Sequence, residues 1–235
     1  MFERSIMKLI IANKNYSSWS LRPWLLMQHF AIPFQEELLP LNGEGWKENF
    51  LNKTPYGFVP VLQDDDLATS KILVIAETLA IIEYLADTNP QKPIWPRDTR
   101  LRAKAREASA LMHAGFTKIR NAAPMNLRAF HPNRINIDEI QPDLDLIEKL
   151  WGGHLQNSGG PFLFGEFCAA DAMFAPLATR LKTYDLPMSK TVRNYVDAIY
   201  SLSAFNIWYK AALKETAIVE MDEIDFIQKA KRENS

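Results

Sequence analysis

Asn15-Tyr16-Ser17-Ser18-Trp19-Ser20-Leu21-Arg22 joins two segments with different apolar patterns. The run 8–12 before it is short and apolar, which is typical of a buried strand. From Trp24 onward, apolar residues recur at helical spacing as far as Pro33. The stretch is therefore predicted to be a turn between a strand and a helix, where hydroxyls and free backbone N–H groups favour an anion such as a thiolate or phosphate. Alternatively, its serines only cap the helix.

Composition and charge narrow the class of protein. The 235 residues are 47% hydrophobic and 23% charged, as in ordinary globular proteins. The 27 Lys and Arg residues nearly balance the 28 Asp and Glu residues, so no overall field favours nucleic acid or a membrane surface as partner. No apolar run approaches the roughly 20 residues of a membrane span, and the first residues lack the apolar core of a signal peptide. We therefore expect a cytoplasmic protein.

Cysteine and histidine spacing gives no support for a metal site. Cys168 is the single cysteine, so neither an intramolecular disulfide nor a multi-cysteine metal site can form. The four histidines lack the His-Glu-x-x-His spacing of a zinc enzyme. No metal is expected.

The first third of the chain continues to alternate between strand and helix patterns. Residues 33–41 are predicted to form a second strand, and residues 54–62 a strand that Pro60 interrupts. Because proline cannot donate to a ladder, Pro60 is predicted to mark a strand edge or a special peptide bond, often cis. Asp64 to Asp66 are interpreted as the tip of a hairpin that leads into a strand at 71–75.

A helix is predicted to start at Glu77 and Thr78, with an apolar face at 79–85. We expect Thr78 to cap it, and because Ile81 follows three positions on, no reciprocal capping box forms. Its N-terminus is therefore predicted to be open to a ligand carboxylate, although an isolated Glu77 is more commonly a solvated charge. The order strand, helix, strand, strand, strand, helix predicts a compact α/β unit.

The rest of the chain is predicted to be helical after a proline-rich linker at 89–97. Asp98 is expected to cap a long helix that ends before Pro124 and carries His113, Phe116 and Arg120 roughly on one side. Further helical patterns cover 137–155, 173–181, 192–202 and 205–213.

Three motifs in this order resemble the glutathione transferase superfamily: the turn 15–22, the segment 54–62 and the helix start 77–85. The turn looks most like the serine-type, zeta-like branch. The resemblance implies an enzyme that uses glutathione as co-substrate to attack a small electrophile, and a cytoplasmic homodimer as is usual in the family. Two other functions stay open: a non-catalytic binding or regulatory protein of the same fold, and a glutathione-dependent isomerase or dehalogenase.

The implied fold is an α/β N-terminal thioredoxin-like domain plus an all-α C-terminal helical domain, the glutathione transferase fold. The resemblance implies a glutathione-binding domain at 1–88, the linker at 89–97 and a helical domain at 98–235 that lines the electrophile site. Residues 167–171 correspond to a buried capping motif in which Cys168 replaces the usual hydroxyl residue. We expect the carboxylate of Asp171 to accept from the Cys168 backbone N–H, and Cys168 to be structural and buried.

Ser17 and Ser18 are the candidate catalytic residues. Neither has a neighbouring His or Lys, nor a Gly-x-Ser-x-Gly elbow, that would make it a covalent nucleophile. A hydroxyl can instead donate to the sulfur of bound glutathione and lower its pKa, and a shift to about 6.5 needs only about 3 kcal/mol. Ser17 is our first choice and Ser18 the second. Pro23 suits a first helical turn and favours Ser20 as the cap, whereas the resemblance starts the helix near Ser18.

Trp19 stands where zeta-like enzymes carry a cysteine that is associated with isomerase and dehalogenating activities. Its presence argues against maleylacetoacetate isomerase activity and against disulfide exchange at this turn. The indole of Trp19 either narrows the cleft or packs into the domain core, and the sequence leaves both alternatives open.

The resemblance also implies which residues bind glutathione. Val59 would pair its backbone with the cysteinyl part beside a cis-Pro60, Glu77 and Thr78 would hold the γ-glutamyl end, and either Lys47 or Lys53 would hold the glycine carboxylate. For the second substrate, Trp19, His113, Phe116 and Arg120 are the candidates, suited to an apolar electrophile with a polar or anionic head. Alternatively, Phe116 belongs to the core and Arg120 is a solvated charge.

Overall fold

A computed structural model describes residues 6–66 and 71–233 of the chain. Its strands are β1 (Met7–Ile11), β2 (Phe34–Leu38), β3 (Val61–Asp66) and β4 (Lys71–Ala76). Its helices are α1 (Ser18–His29), α2 (Trp46–Lys53), α3 (Thr78–Thr88), α4 (Thr99–Ala114), α5 (Thr117–Ala122), α6 (Ile137–Ser158), α7 (Ala169–Thr183), α8 (Lys190–Ser201), α9 (Ser203–Ala212) and α10 (Ile224–Glu233).

The four strands form one mixed sheet in the order β2-β1-β3-β4. The first two strands are parallel because α1 crosses between them, whereas β1–β3 and β3–β4 are antiparallel. One face of the sheet packs on α1 and α3, with Leu9, Leu25 and Ile81 fully buried there. The other face packs on α2 through a small cluster around Phe50. The predicted α/β unit is confirmed.

The remaining helices surround α7, whose residues are almost all buried. This helix packs on α1, α4 and α8, so its apolar residues continue the core of the sheet without interruption. The Nε of Arg22 on α1 donates to the Met173 carbonyl at 2.9 Å and ties the two helices together. The predicted architecture, an α/β unit plus an all-helical region, is confirmed.

The start of α7 confirms the predicted cap. The Asp171 carboxylate accepts from the Cys168 backbone N–H at 2.9 Å and from the Leu163 N–H at 3.0 Å. Cys168 is 3% exposed, and burial raises the pKa of its thiol well above the usual value. The thiol is therefore a structural group.

The prediction of one long helix after Asp98 is wrong in its extent, because α4 ends at Ala114. Gly115 is extended and Phe116 adopts a left-handed conformation with φ 56°, so α5 starts in a new direction. His113, Phe116 and Arg120 consequently do not share one helical face. The predicted helices that follow lie within α6, α7, α8 and α9, with boundary differences of a few residues.

Three shorter predictions also need correction. Asp64 to Asp66 belong to β3 itself, and the Asp64 carboxylate accepts from the Tyr84 hydroxyl at 2.5 Å; the loop after them, 67–70, lies outside the described residues. The run 54–62 is a strand only from Val61 onward. The polar segment that contains Trp46 forms α2, which the apolar pattern did not reveal because only Phe50 is buried in it.

Among residues 6–66 and 71–233, no helix combines the length and the apolar character that crossing a bilayer requires.

Candidate active site

A cleft of about 310 Å³ opens where four separate parts of the chain meet. They are the first turn of α1, the loop before β3, the start of α3 and the end of α4. The cleft is lined by Trp19, Phe58, Val59, Pro60, Glu77, Thr78 and His113. Six of these seven residues are sequence-predicted site residues, and Phe58 is the addition. A bulky apolar residue inside the 54–62 motif was the signal that could have identified it.

The loop before β3 contains a cis peptide bond between Val59 and Pro60, as predicted. The paired register of β3 begins at Val61, which lies opposite Ile10. Val59 therefore precedes the ladder, and this half-buried residue lines the cleft.

The start of α3 differs from the prediction. The N-cap is Glu77 and not Thr78: the Glu77 carboxylate accepts from the N–H of Leu79 at 2.8 Å and of Ala80 at 3.2 Å. The backbone of Glu77 has φ 130°, a value that residues other than glycine rarely adopt. The helix end is thus closed by the protein's own carboxylate rather than open.

Thr78 becomes the first residue of the helix, and its side chain is 1% exposed. Within the described residues its hydroxyl has no hydrogen-bond partner. A buried hydroxyl without a partner is costly, so this oxygen beside the cleft is suited to a polar ligand group.

The turn before α1 ends at Ser17, which is the N-cap of a helix that begins at Ser18. The Ser17 hydroxyl donates to the Ser20 oxygen at 2.8 Å and accepts from the Ser20 N–H at 3.4 Å. The alternative that Ser20 is the cap is therefore wrong, because Ser20 is helical and fully buried. Ser17 is 8% exposed and Ser18 is half-buried. Neither serine is among the described residues that line the cleft, although Trp19 is.

Trp19 lies between the cleft and a group of arginines. Its ring packs edge-on against His113 at 5.2 Å between centroids. The guanidinium of Arg22 lies 4.0 Å from the ring centroid and that of Arg120 lies 5.0 Å from it. Nδ1 of His113 is 3.4 Å from Oε1 of Glu77. The indole thus both narrows the cleft and packs against the core.

The arginines behind Trp19 make this side of the cleft electropositive. Arg22 is 1% exposed, and burial together with the nearby Arg180 and Arg120 lowers its guanidinium pKa well below the usual value, while Glu77 opposes the shift. Burial also lowers the pKa of Arg180 to about 10. Since a guanidinium this deeply buried favours an anionic neighbour, the charge favours a thiolate in the cleft.

Three predicted residues lie elsewhere. Phe116 is 3% exposed and packs against Phe174 in the core, so the structure does not bring it to the cleft. Lys53 is paired with Glu37 at 2.8 Å, and Lys47 is exposed with its ammonium 5.6 Å from the Trp46 ring. Neither lysine is among the described residues of the cleft lining.

In the part of the chain that the structure describes, no group of three or more His, Cys, Asp or Glu side chains is placed to hold a metal ion.

The sequence is similar to that of known glutathione transferases. Residues 16–88 match the family described as "Glutathione S-transferase, N-terminal domain". The chain is 26% identical over 209 residues to a maleylacetoacetate isomerase of Rattus norvegicus, covering 85% of this chain and 90% of that protein. It is 30% identical over 152 residues to a zeta-class glutathione S-transferase of Euphorbia esula, covering 60% and 62%.

Among solved structures, a glutathione transferase homolog from Burkholderia with bound glutathione aligns with a TM-score of 0.66. It is 19% identical, and the alignment covers 90% of this chain and 99% of that one. At this identity the match concerns the fold.

Proposed function

We propose that this chain is a zeta-like member of the glutathione transferase superfamily, an enzyme that activates the glutathione thiol for attack on a small electrophile. One observation carries the proposal: the loop at Val59 and Pro60, the start of α3 and Trp19 meet in a single cleft. Glutathione needs backbone pairing, an anion site and an ammonium partner close together, and these segments offer all three.

Glutathione binds with its cysteinyl part along the backbone of Val59. Its γ-glutamyl carboxylate lies at the start of α3, beside the Thr78 hydroxyl. The Glu77 carboxylate, which caps the helix through the backbone N–H groups of Leu79 and Ala80, also pairs with the ammonium group of the ligand. The Thr78 hydroxyl is therefore the donor left for the ligand carboxylate. The glycine carboxylate takes Lys47 or Lys53 from α2.

The thiolate is stabilised at the N-terminus of α1. Ser17 turns its hydroxyl hydrogen from the Ser20 oxygen to the sulfur, and Ser18 is the second candidate. The helix dipole and the arginines behind Trp19 favour the same negative charge. Trp19, His113 and Arg120 form the side of the site that faces the electrophile.

A second candidate is a glutathione-dependent isomerase, because one relative is named a maleylacetoacetate isomerase. Trp19 argues against it, since the indole occupies the position of the cysteine of zeta-like enzymes. We expect the wild type to conjugate electrophiles with glutathione and to lack glutathione-dependent isomerisation of maleyl compounds.

The enzyme acts as a homodimer in the cytoplasm, in a detoxification role. Support for a dimer comes from the edge strand β4, where Ile72, Leu73 and Val74 are 60%, 45% and 41% exposed. Tyr56 and Phe58 are also exposed, and their rings stack with 5.7 Å between centroids. Exposed apolar groups of this kind mark interfaces. Light scattering should give twice the 26.9 kDa of one chain.

The test is a pH titration of bound glutathione, followed by the ultraviolet absorbance of the thiolate. We expect the wild type to lower the thiol pKa by about one unit or more, equivalent to about 1.4 kcal/mol. Ser17→Ala should abolish the shift, and Ser18→Ala should retain most of it. Ser201→Ala, at the far end of α8, is the control.

A wild type that binds glutathione without lowering its thiol pKa contradicts catalysis by this route and supports the binding or regulatory protein. If Ser18→Ala loses the pKa shift and Ser17→Ala retains it, Ser18 and not Ser17 is the donor to the thiolate.

A further inference from the structure

The turn 12–17 that carries Ser17 has little support from its own part of the chain. Within the turn, the Asn13 carbonyl accepts from the N–H groups of Tyr16 at 3.1 Å and Ser17 at 2.8 Å. Most of its remaining polar groups bond to residues more than 100 positions away. Ser17 itself bonds to the nearby Asn13 and Ser20, whereas the three residues before it are held by distant residues.

Glu215 holds the first part of the turn. Its two carboxylate oxygens accept from the backbone N–H of Lys14 at 2.7 Å and of Asn15 at 3.0 Å. The indole of Trp208 donates to the Lys14 carbonyl at 2.9 Å from the same side. A carboxylate that accepts from two consecutive backbone N–H groups makes charge-assisted hydrogen bonds, which are stronger than neutral ones.

Glu223 holds the second part through Tyr16. The Tyr16 hydroxyl donates to Oε1 of Glu223 at 2.5 Å and accepts from Arg128 at 2.8 Å. Asn126 donates to the same oxygen of Glu223 at 3.1 Å. Tyr16, which precedes Ser17 in the sequence, is 4% exposed, so its side chain is held in place.

Asn15 and Arg128 join the two halves. The buried Asn15 side chain donates to Asn126 at 2.8 Å and accepts from the Arg128 N–H at 2.9 Å. The Arg128 guanidinium also donates to the carbonyl groups of Glu215 and Ala217. The result is one continuous, partly buried polar network between the turn 12–17 and the segment 215–223, and such networks rigidify what they enclose.

We propose that Glu215 and Glu223 are positioning residues for thiol activation, which aim Ser17 and the start of α1 at the glutathione sulfur. This inference depends on the proposed function. Activation of this kind requires donors placed to within a fraction of an ångström, and displacement of about 1 Å can cost about 100-fold in rate. The segment 215–223 thus acts on the chemistry without touching the ligand.

The experiment compares Glu215→Gln and Glu223→Gln with Glu220→Gln, a control on the same segment whose side chain is exposed. In Glu215→Gln an amide NH₂ faces a backbone N–H, so the turn shifts. We expect the pKa of the bound thiol to rise by about half a unit or more and kcat to fall about tenfold. The Kd for glutathione should change less than about twofold. Glu223→Gln should follow in the same direction, and Glu220→Gln should match the wild type.

A folded Glu215→Gln protein with an unchanged thiol pKa and kcat overturns the inference. It is also overturned when kcat and thermal stability fall and the Kd for glutathione rises together, because that pattern means a purely structural role. A wild type that never lowers the thiol pKa refutes the proposed function instead. The role in thiol activation then fails with it, and hydrogen exchange at the amides of Lys14 and Asn15 separates the two failures. Faster exchange in Glu215→Gln than in Glu220→Gln shows that Glu215 still holds the turn, whereas equal exchange overturns the contact itself.

Discussion

Trp19 links the cleft to the charges beneath it. Its ring contacts His113 on one edge and lies within 4.0 Å and 5.0 Å of the guanidinium groups of Arg22 and Arg120. A π-face near a desolvated cation is worth up to about 2 kcal/mol, which helps to offset the burial of Arg22. The residue that distinguishes this turn from zeta-like enzymes therefore also stabilises a buried charge.

We predict that Trp19→Leu lowers the free energy of unfolding by about 1–2 kcal/mol more than Trp19→Phe does, because only phenylalanine keeps an aromatic face for Arg22. Urea unfolding measures the difference. Equal losses in the two variants would mean that the ring contributes packing alone.

The junction of α4 and α5 shows how a single backbone position redirects an element. A Cβ at Gly115 would meet the Leu111 carbonyl oxygen at 2.7 Å, so only glycine allows the chain to leave α4 as it does. The turn places His113 at the cleft and sends Phe116 into the core. His113 lines the cleft and Phe116 packs in the core because the helix breaks between them.

We predict that Gly115→Ala lowers the free energy of unfolding by about 1–3 kcal/mol, because the backbone has to shift. The matched control is Gly152→Ala within α6, where the new methyl group meets no atom within 4 Å. That variant should be stabilised by about 0.5–1 kcal/mol, as helix propensity favours alanine. Gly115→Ala with wild-type stability would contradict the steric argument.

At the scale of the whole molecule, the sheet and the helical region share one core. His29, at the end of α1, packs on Phe167 before α7 with 4.2 Å between ring centroids. Burial lowers the pKa of His29, and burial likewise lowers that of His154 in α6. Since the unfolded chain takes up protons at these histidines more readily than the folded one, stability falls as the pH drops below about 6.5.

We predict that these two histidines lower the thermal midpoint between pH 7 and pH 5, against the opposite contribution of Asp171 and Asp222, whose pKa values burial raises to about 6, and that His29→Gln makes the histidine-dependent decrease smaller. A double variant with His154→Gln should make it smaller still. Calorimetry at several pH values measures this dependence. An unchanged pH dependence in the double variant would assign it to other groups.

The sequence alone determined most of the elements and some of the chemistry at their ends. Periodicity predicted β1, α1, α3 and the four helices α6 to α9, because burial along one element leaves a local pattern, but it did not predict α10. It missed α2, in which only Phe50 is buried. The 54–62 motif predicted the cis bond before Pro60, and 167–171 predicted the Asp171 cap.

Only the tertiary structure decided how those parts meet. Glu77 rather than Thr78 caps α3, and Gly115 breaks a helix whose apolar spacing continues through the break. The bonds from Glu215 to the turn join residues about 200 positions apart. A contact between distant positions depends on how separate elements pack, which leaves no periodic trace in either segment, so the cleft and the network behind Ser17 exist only once the chain has folded.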